Sequence, residues 1–333
     1  MLPNISGSIR DGGVPCVSWR RSVLKKLRKK IRHSFGGIAL YSILLPIKIL
    51  PLNLLFWGGR CIGRVAYYID GKHRRLSLEN IRMALGKEKS PQELKRIIKE
   101  NYCHIAQSGF EMLRALEYGK RYAHLLAIEG KENLDRALAK GKGAIGIMGH
   151  IGNITLLLRK IANEGYPASV IAKDPKDELV ARFMQELRDR SNMGTVPPKP
   201  KSLVAKRSLT SLKRGELLII PIDQNAGKEG IFVDFFGRPA STPAGPVIFA
   251  QRTGAPLVPM YIIREGRKRH RLIIEAEIPL VNTENKEEDL ITNTQRLTRV
   301  IERYVRKYPS QWWWMHNRWK SQPPQKIGVS REQ

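Results

Sequence analysis

The chain has 333 residues, 42% of them hydrophobic, enough for one large α/β domain with a sizeable core or for two smaller ones. Its 59 Lys and Arg against 30 Asp and Glu leave a net charge of +29, which favours an anionic partner: nucleic acid, an acidic membrane surface or a phosphate-bearing substrate. Cys16, Cys61 and Cys103 are odd in number and widely spaced, which argues against a disulfide framework or a zinc site and fits a reducing, cytosol-facing compartment.

Residues 1–33 are strongly basic, with Arg20, Arg21, Lys25, Lys26, Arg28, Lys29, Lys30 and Arg32 in one block, and read as a flexible N-terminus. An apolar run follows from Ile38 to Trp57, about the 20 residues that cross a bilayer, but Pro46, Lys48 and Pro51 interrupt it. It starts late and lacks a small-residue cleavage site, so it is a poor signal peptide. Basic residues flank it on both sides, Arg60, Arg64, Lys72, Arg74 and Arg75 lying beyond it, so the positive-inside rule sets no orientation. A kinked or interfacial membrane-anchoring helix over residues 34–68, on an anionic leaflet, suits the pattern; an apolar core helix is the competing reading.

Residues 76–117 read as helices, with Ser90-Pro91-Gln92-Glu93 supplying a cap and an N1 proline. From residue 143 short apolar runs alternate with amphipathic segments. The expected strands are 143–148, 168–172, 217–222, 256–263 and 271–277, and the expected helices 154–164, 177–191, 201–213, 243–253 and 286–307. That order implies an α/β fold with a mixed, largely parallel sheet flanked by helices, in one domain over 69–323 with a flexible tail at 324–333.

Chemistry concentrates at strand ends. Gly143-Ala144-Ile145-Gly146-Ile147 is a buried strand, and Met148-Gly149-His150 leaves it for a turn whose Asn153 is a good N-cap for the next helix. His150 thus stands at the carboxyl edge of a sheet, where open α/β folds build their sites, and is a candidate general base. Asp223 and Gln224 end a second strand in the same manner, Lys173 a third. Gly237 and Arg238 combine a close backbone approach with a cation for a headgroup or phosphate. Thr242-Pro243-Ala244-Gly245 opens a helix whose free N–H groups suit phosphate. Trp312, Trp313, Trp314 and Trp319 fit either an interfacial aromatic belt or the packing of a C-terminal helix. No cofactor and no metal site is expected. Nucleic acid is disfavoured, because no RNP, helix-turn-helix or zinc-finger pattern appears and the aromatics are not interleaved with the basic residues.

Four blocks in order resemble the lipid A late acyltransferases and their lysophospholipid acyltransferase relatives. They are Arg74 to Arg82, the Gly149-His150-Ile151-Gly152-Asn153 stretch, residues 215–260 with Asp223-Gln224-Asn225 and Phe236-Gly237-Arg238-Pro239, and Gln311 to Lys320. The resemblance covers roughly residues 38 to 323. It implies a glycerolipid acyltransferase-like fold with an N-terminal anchor, on the cytoplasmic face of the bacterial inner membrane. It also implies transfer of an acyl chain from a thioester, on acyl carrier protein or CoA, to a hydroxyl of a lipid A precursor or related lysolipid, with membrane lipids as further partners. His150 would be the base, Asp223 and Gln224 would line the site, and Asn153, Lys173, Gly237 and Arg238 would bind substrate. Where the family places an acid five residues after its histidine, this chain has Thr155. Either another carboxylate substitutes, with Asp174, Asp177 and Asp223 available, or the protein is a weakened or inactive lipid-binding relative.

Overall fold

The structure, a computed structural model, describes residues 50–115, 121–173, 178–190 and 193–323. Three helices open it. Helix α1, Leu52–Ile69, buries Leu52, Leu55, Phe56, Gly59 and Gly63. It packs chiefly on α3, Pro91–Leu113, and α2, Gly71–Leu85, lies between them in sequence. Asp70 caps α2 by accepting from His73 N, and Ser90 with Glu93 forms a reciprocal capping box at the start of α3, as the Ser-Pro-Gln-Glu spacing implies.

The seven-stranded sheet has the order β1-β9-β8-β2-β5-β3-β4. Its strands are β1 Leu126–Glu129, β2 Ala144–Met148, β3 Ala168–Ile171, β4 Met193–Val196, β5 Leu217–Pro221, β8 Leu257–Glu265 and β9 Arg269–Ile274. Every pairing is parallel except the β8–β9 hairpin, so the expected mixed, largely parallel sheet is present. Strands β2 and β5 are central and covered on both faces, and for that reason they read as unbroken apolar runs. Along β2, Ile145 and Ile147 enter one core with Trp312, Trp314 and Trp319, while Ala144 and Met148 enter the other with Leu156, Leu157 and Ile161.

The remaining helices are α4 Lys131–Leu138, α5 Ile154–Asn163, α6 Glu178–Asp189, α7 Lys201–Lys213, α8 Gly245–Thr253 and α9 Lys286–Lys307. The expected helices and strands after residue 143 are all found. Strands β1 and β4, and the hairpin of β6 Ile231–Asp234 with β7 Pro239–Thr242, were not expected. Each is only four residues long, too short to show a period against its surroundings.

The anchoring segment expected at 34–68 lies outside the described residues up to Ile49. Its described part is the amphipathic α1, one face of which is built into the fold. The other face exposes Leu54, Trp57, Ile62, Val65, Tyr68 and Ile69. Among the described residues no helix is long and apolar enough to cross a membrane. The C-terminal tryptophans do not form an interfacial belt: Trp312, Trp314 and Trp319 are buried against Phe235 and the β2–β5 face, and of these four Trp313 alone reaches the surface.

Candidate active site

Register in the central ladder builds the site. In the parallel pair β2–β5, Met148 lies opposite Pro221, and Ile222 N donates to Met148 O at 3.1 Å just beyond them. Two residues past that pair stand His150 and Asp223. The His150 backbone N–H donates to Asp223 Oδ2 at 2.6 Å, and its ring Nδ1 lies 2.7 Å from Oδ1. Gly149 eases this approach, since a Cβ there would sit 3.2 Å from Asp223 Oδ2 and crowd the carboxylate.

The turn carrying His150 is held from both sides. Gly152 has φ +70°, and a Cβ on it would fall 1.8 Å from Ile262 O, so no other residue fits. On the other side the C-terminal segment pairs with the turn: Gly152 N donates to Gln311 O at 2.9 Å, Trp313 N to His150 O at 3.0 Å, and Ile151 bridges Trp312. Trp312 also donates its indole N–H to Asp223 Oδ2 at 2.7 Å. Asp223 is thereby buried and engaged in three hydrogen bonds, two of them with His150.

These contacts set the charges. Burial opposes the imidazolium of His150, but the Asp223 carboxylate and its hydrogen bond outweigh it and raise the pKa above the ordinary value. Burial likewise opposes the Asp223 anion, yet His150 and the three donated bonds hold its pKa below the ordinary value. The pair therefore favours an ionised carboxylate that fixes the Nδ1–H tautomer and leaves the Nε2 lone pair outward. Gln224 Nε2 lies 3.4 Å from that nitrogen. The His150 side chain remains 26% exposed while Asp223 is at 1%.

Nε2 faces a cavity of about 310 Å³ lined by Ile105, Met112, Ile154, Thr155 and Trp313 among others. The lining is mostly apolar, so the cavity suits an alkyl chain held beside the imidazole. Thr155 sits in the first turn of α5 on this lining. The carboxylate on the imidazole comes from Asp223, on a neighbouring strand, and not from the position five residues on.

Behind the cavity lies a buried ionic cluster that sequence reading missed. Glu111, on α3, accepts from Arg264 Nη1 at 2.5 Å and Nη2 at 2.7 Å, and from Asn153 Nδ2 at 2.9 Å. His270 Nε2 lies 2.8 Å from its Oε1. Burial opposes the Glu111 charge, but His270 and Arg264 prevail and push its pKa far below the carboxylate range. His104, packed against Arg264 Nε at 3.3 Å, is lowered to about 3, by burial first and then by the arginine charge. Asn153 is the link to the site: it caps α5 by accepting from Leu156 N at 3.4 Å while its amide is tied to Glu111. The one sequence signal for the cluster was a carboxylate, Glu111, set between the apolar Phe110 and Met112 in an amphipathic helix.

The other expected residues disperse. Lys173 is exposed at the end of β3, and Asp174 and Asp177 lie outside the described residues. Gly237 and Arg238 form the β6–β7 turn, where Gly237 N donates to Asp234 Oδ1 and Arg238 Nε to Met83 O, and neither joins His150. The stretch before α8 is filled from within: fully buried Arg318 donates to Thr242 Oγ1 at 2.5 Å and to Ser241 O, and burial lowers its pKa to about 10. His316 accepts from Asn225 N at 3.0 Å, next to Gln224, and was not singled out from sequence. Among the described residues no cluster of His, Cys, Asp and Glu suits a metal ion.

Comparison with known proteins matches the sequence to one family. A model of bacterial lipid A biosynthesis acyltransferases matches residues 24–321. The lipid A biosynthesis palmitoleoyltransferase of Escherichia coli is 23% identical over 282 residues, covering 82% of this chain and 87% of that protein. The lauroyltransferase of the same organism is 24% identical, over 82% of this chain and 88% of its own. A phosphatidylinositol mannoside acyltransferase of Mycolicibacterium smegmatis is 25% identical, over 72% and 77%. With nearly the whole chain inside the family match, the protein belongs to the bacterial lipid A biosynthesis acyltransferases and is a transferase of acyl groups to a lipid.

Proposed function

We propose that His150 is the general base of this acyl transfer and that the acceptor is a lipid A precursor or a related glycolipid. The observation that carries the reading is the 2.7 Å contact of His150 Nδ1 with buried Asp223, at the mouth of an apolar cavity. In the step, Nε2 takes the proton of the acceptor hydroxyl as its oxygen attacks the thioester carbonyl carbon. The C–O bond forms, the C–S bond breaks, and the proton passes from Nε2 to the departing thiolate. Asp223 holds the tautomer and stabilises the transient imidazolium, the role a buried carboxylate has beside a catalytic imidazole elsewhere. The acyl chain lies along Ile105, Met112, Ile154 and Trp313.

Acyl carrier protein is the donor favoured by charge, since an acidic carrier is steered toward a chain of net charge +29. The site of action is the cytoplasmic face of the inner membrane, where the exposed face of α1 and the basic segment before it meet lipid. The Asp223 carboxylate beside His150 supports an active enzyme over the weakened or inactive lipid-binding relative that Thr155 by itself suggests.

The test is acyl transfer from a labelled lauroyl acyl carrier protein thioester to a lipid A precursor and, in parallel, to lysophospholipids. Transfer to the precursor that disappears in His150→Ala, with unchanged circular dichroism, supports the reading. Transfer that survives in His150→Ala removes the base assignment.

A further inference from the structure

A second, larger cavity shares a wall with the first. Its volume is about 540 Å³, and His104 and Gln311 line both. It lies between α1, α3 and the β8–β9 turn, and four arginines reach it: Arg60, Arg64, Arg264 and Arg267. Arg264 is spent on Glu111. Arg60 is paired with Glu100 at 2.9 Å, the one carboxylate on this lining. Arg64 and Arg267 are exposed and have no carboxylate partner among the described residues. Three guanidinium groups against one carboxylate leave this concave surface positive, and two of the forks are free to donate.

We propose that this cavity binds a phosphate group of a substrate, so that the phosphate sits on Arg64 and Arg267 while the reacting atoms reach His150 through the shared His104–Gln311 wall. Guanidinium forks match phosphate oxygens in pairs, and two arginines from separate elements converging on one concavity supply what a single surface cation lacks. Trp57, exposed at the rim, gives the bound group an apolar flank. Two sources carry the required chemistry: a phosphate of the lipid acceptor, or the phosphodiester of a phosphopantetheine arm on the donor. Which of the two it is rests on the acyl-transfer reading above; the existence of the anion site does not.

The variant is Arg64→Gln/Arg267→Gln in the full chain, neither residue touching His150. Calorimetric titration with inorganic pyrophosphate needs no turnover. We expect the wild type to bind it and the double variant to bind at least about tenfold more weakly, with His150→Ala unchanged. Equal binding by wild type and double variant, or none by the wild type, overturns the site. Turnover then assigns the source. If KM for a phosphorylated lipid A precursor rises at least about tenfold in the double variant, while KM for the enzymatically dephosphorylated precursor and for the thioester donor stays put, the acceptor phosphate is the occupant. If instead the donor KM rises with both acceptors, it is the phosphopantetheine arm. Losses equal for every substrate overturn the site as well. Pyrophosphate binding that depends on the arginines, in a protein whose acyl transfer survives His150→Ala, keeps the anion site and removes the base assignment.

Discussion

His150 and Asp223 each stand two residues beyond the same registered pair of the parallel β2–β5 ladder, Met148 and Pro221, and that shared offset places Nδ1 2.7 Å from Oδ1. Residues 73 apart in sequence become neighbours because parallel strands keep their carboxyl ends together.

Replacing Asp223 by Asn preserves shape but removes the charge and permits the wrong tautomer. A loss of kcat approaching 10⁴-fold is expected, about the size of the equivalent change in a serine protease. Steady-state kinetics with saturating donor and acceptor measures it. A loss smaller than tenfold means that Asp223 does not orient the base.

The pH profile follows from the raised pKa of His150. A base works in its neutral form, so kcat/KM climbs with pH through the folded-state pKa, which Asp223 holds above the ordinary 6.5. In Asp223→Asn that support is gone while burial remains, so the rising limb moves to lower pH even as its plateau falls. A limb that stays in place in the variant contradicts the assignment.

Thr155→Glu is expected to bring no gain. The Nδ1 position is already taken by Asp223, and a carboxylate at position 155 would have to be desolvated in a mostly apolar cavity. Activity equal to or below that of the wild type is the expected result. An increase of tenfold or more would show that the imidazole turns toward α5 during catalysis.

The cluster around Glu111 makes the fold acid-sensitive. Glu111 has its pKa below the ordinary 4.5, so its stabilisation is full above that value and fades as pH falls toward its own pKa. His104 binds its proton only near 3 in the folded state but near 6.5 when unfolded, so acidification between those values favours the unfolded chain. Tm is therefore expected to fall steadily from pH 7 to pH 4. Glu111→Ala leaves the buried Arg264 unpaired at a cost of about 3–5 kcal/mol, and also frees Asn153, so activity falls with stability. Thermal melts across pH for both proteins check this.

Deleting residues 1–49 leaves α1 whole and is expected to move the protein largely to the soluble fraction. High salt alone is expected to leave the full chain on membranes, because apolar insertion survives charge screening. Complete release of the full chain by salt would make the attachment electrostatic only.

The alternation of periods after residue 143 was enough to name the sheet class, and the glycine-bounded strand before His150 was enough to set that histidine at a sheet edge, because strand burial and helix capping are local effects written in adjacent residues; its candidacy as a base came with the family resemblance. The carboxylate partner was not local. Sequence spacing pointed to Thr155 for the acid; Asp223 stood out as a strand-end site residue but was only one of three possible substitutes with Asp174 and Asp177, and the register of β2 against β5 is what sets it beside His150. The same holds for Trp312, whose indole reaches Asp223 from 89 residues away, and for Glu111, Arg264 and His270, scattered over 159 residues. Nor could the tryptophan run declare its own burial: two of its three consecutive members face inward because Ile151 pairs with Trp312 and turns that strand of chain against the sheet. Periodicity decides which face of an element is apolar; which charged groups meet beneath it is decided by how the elements pack.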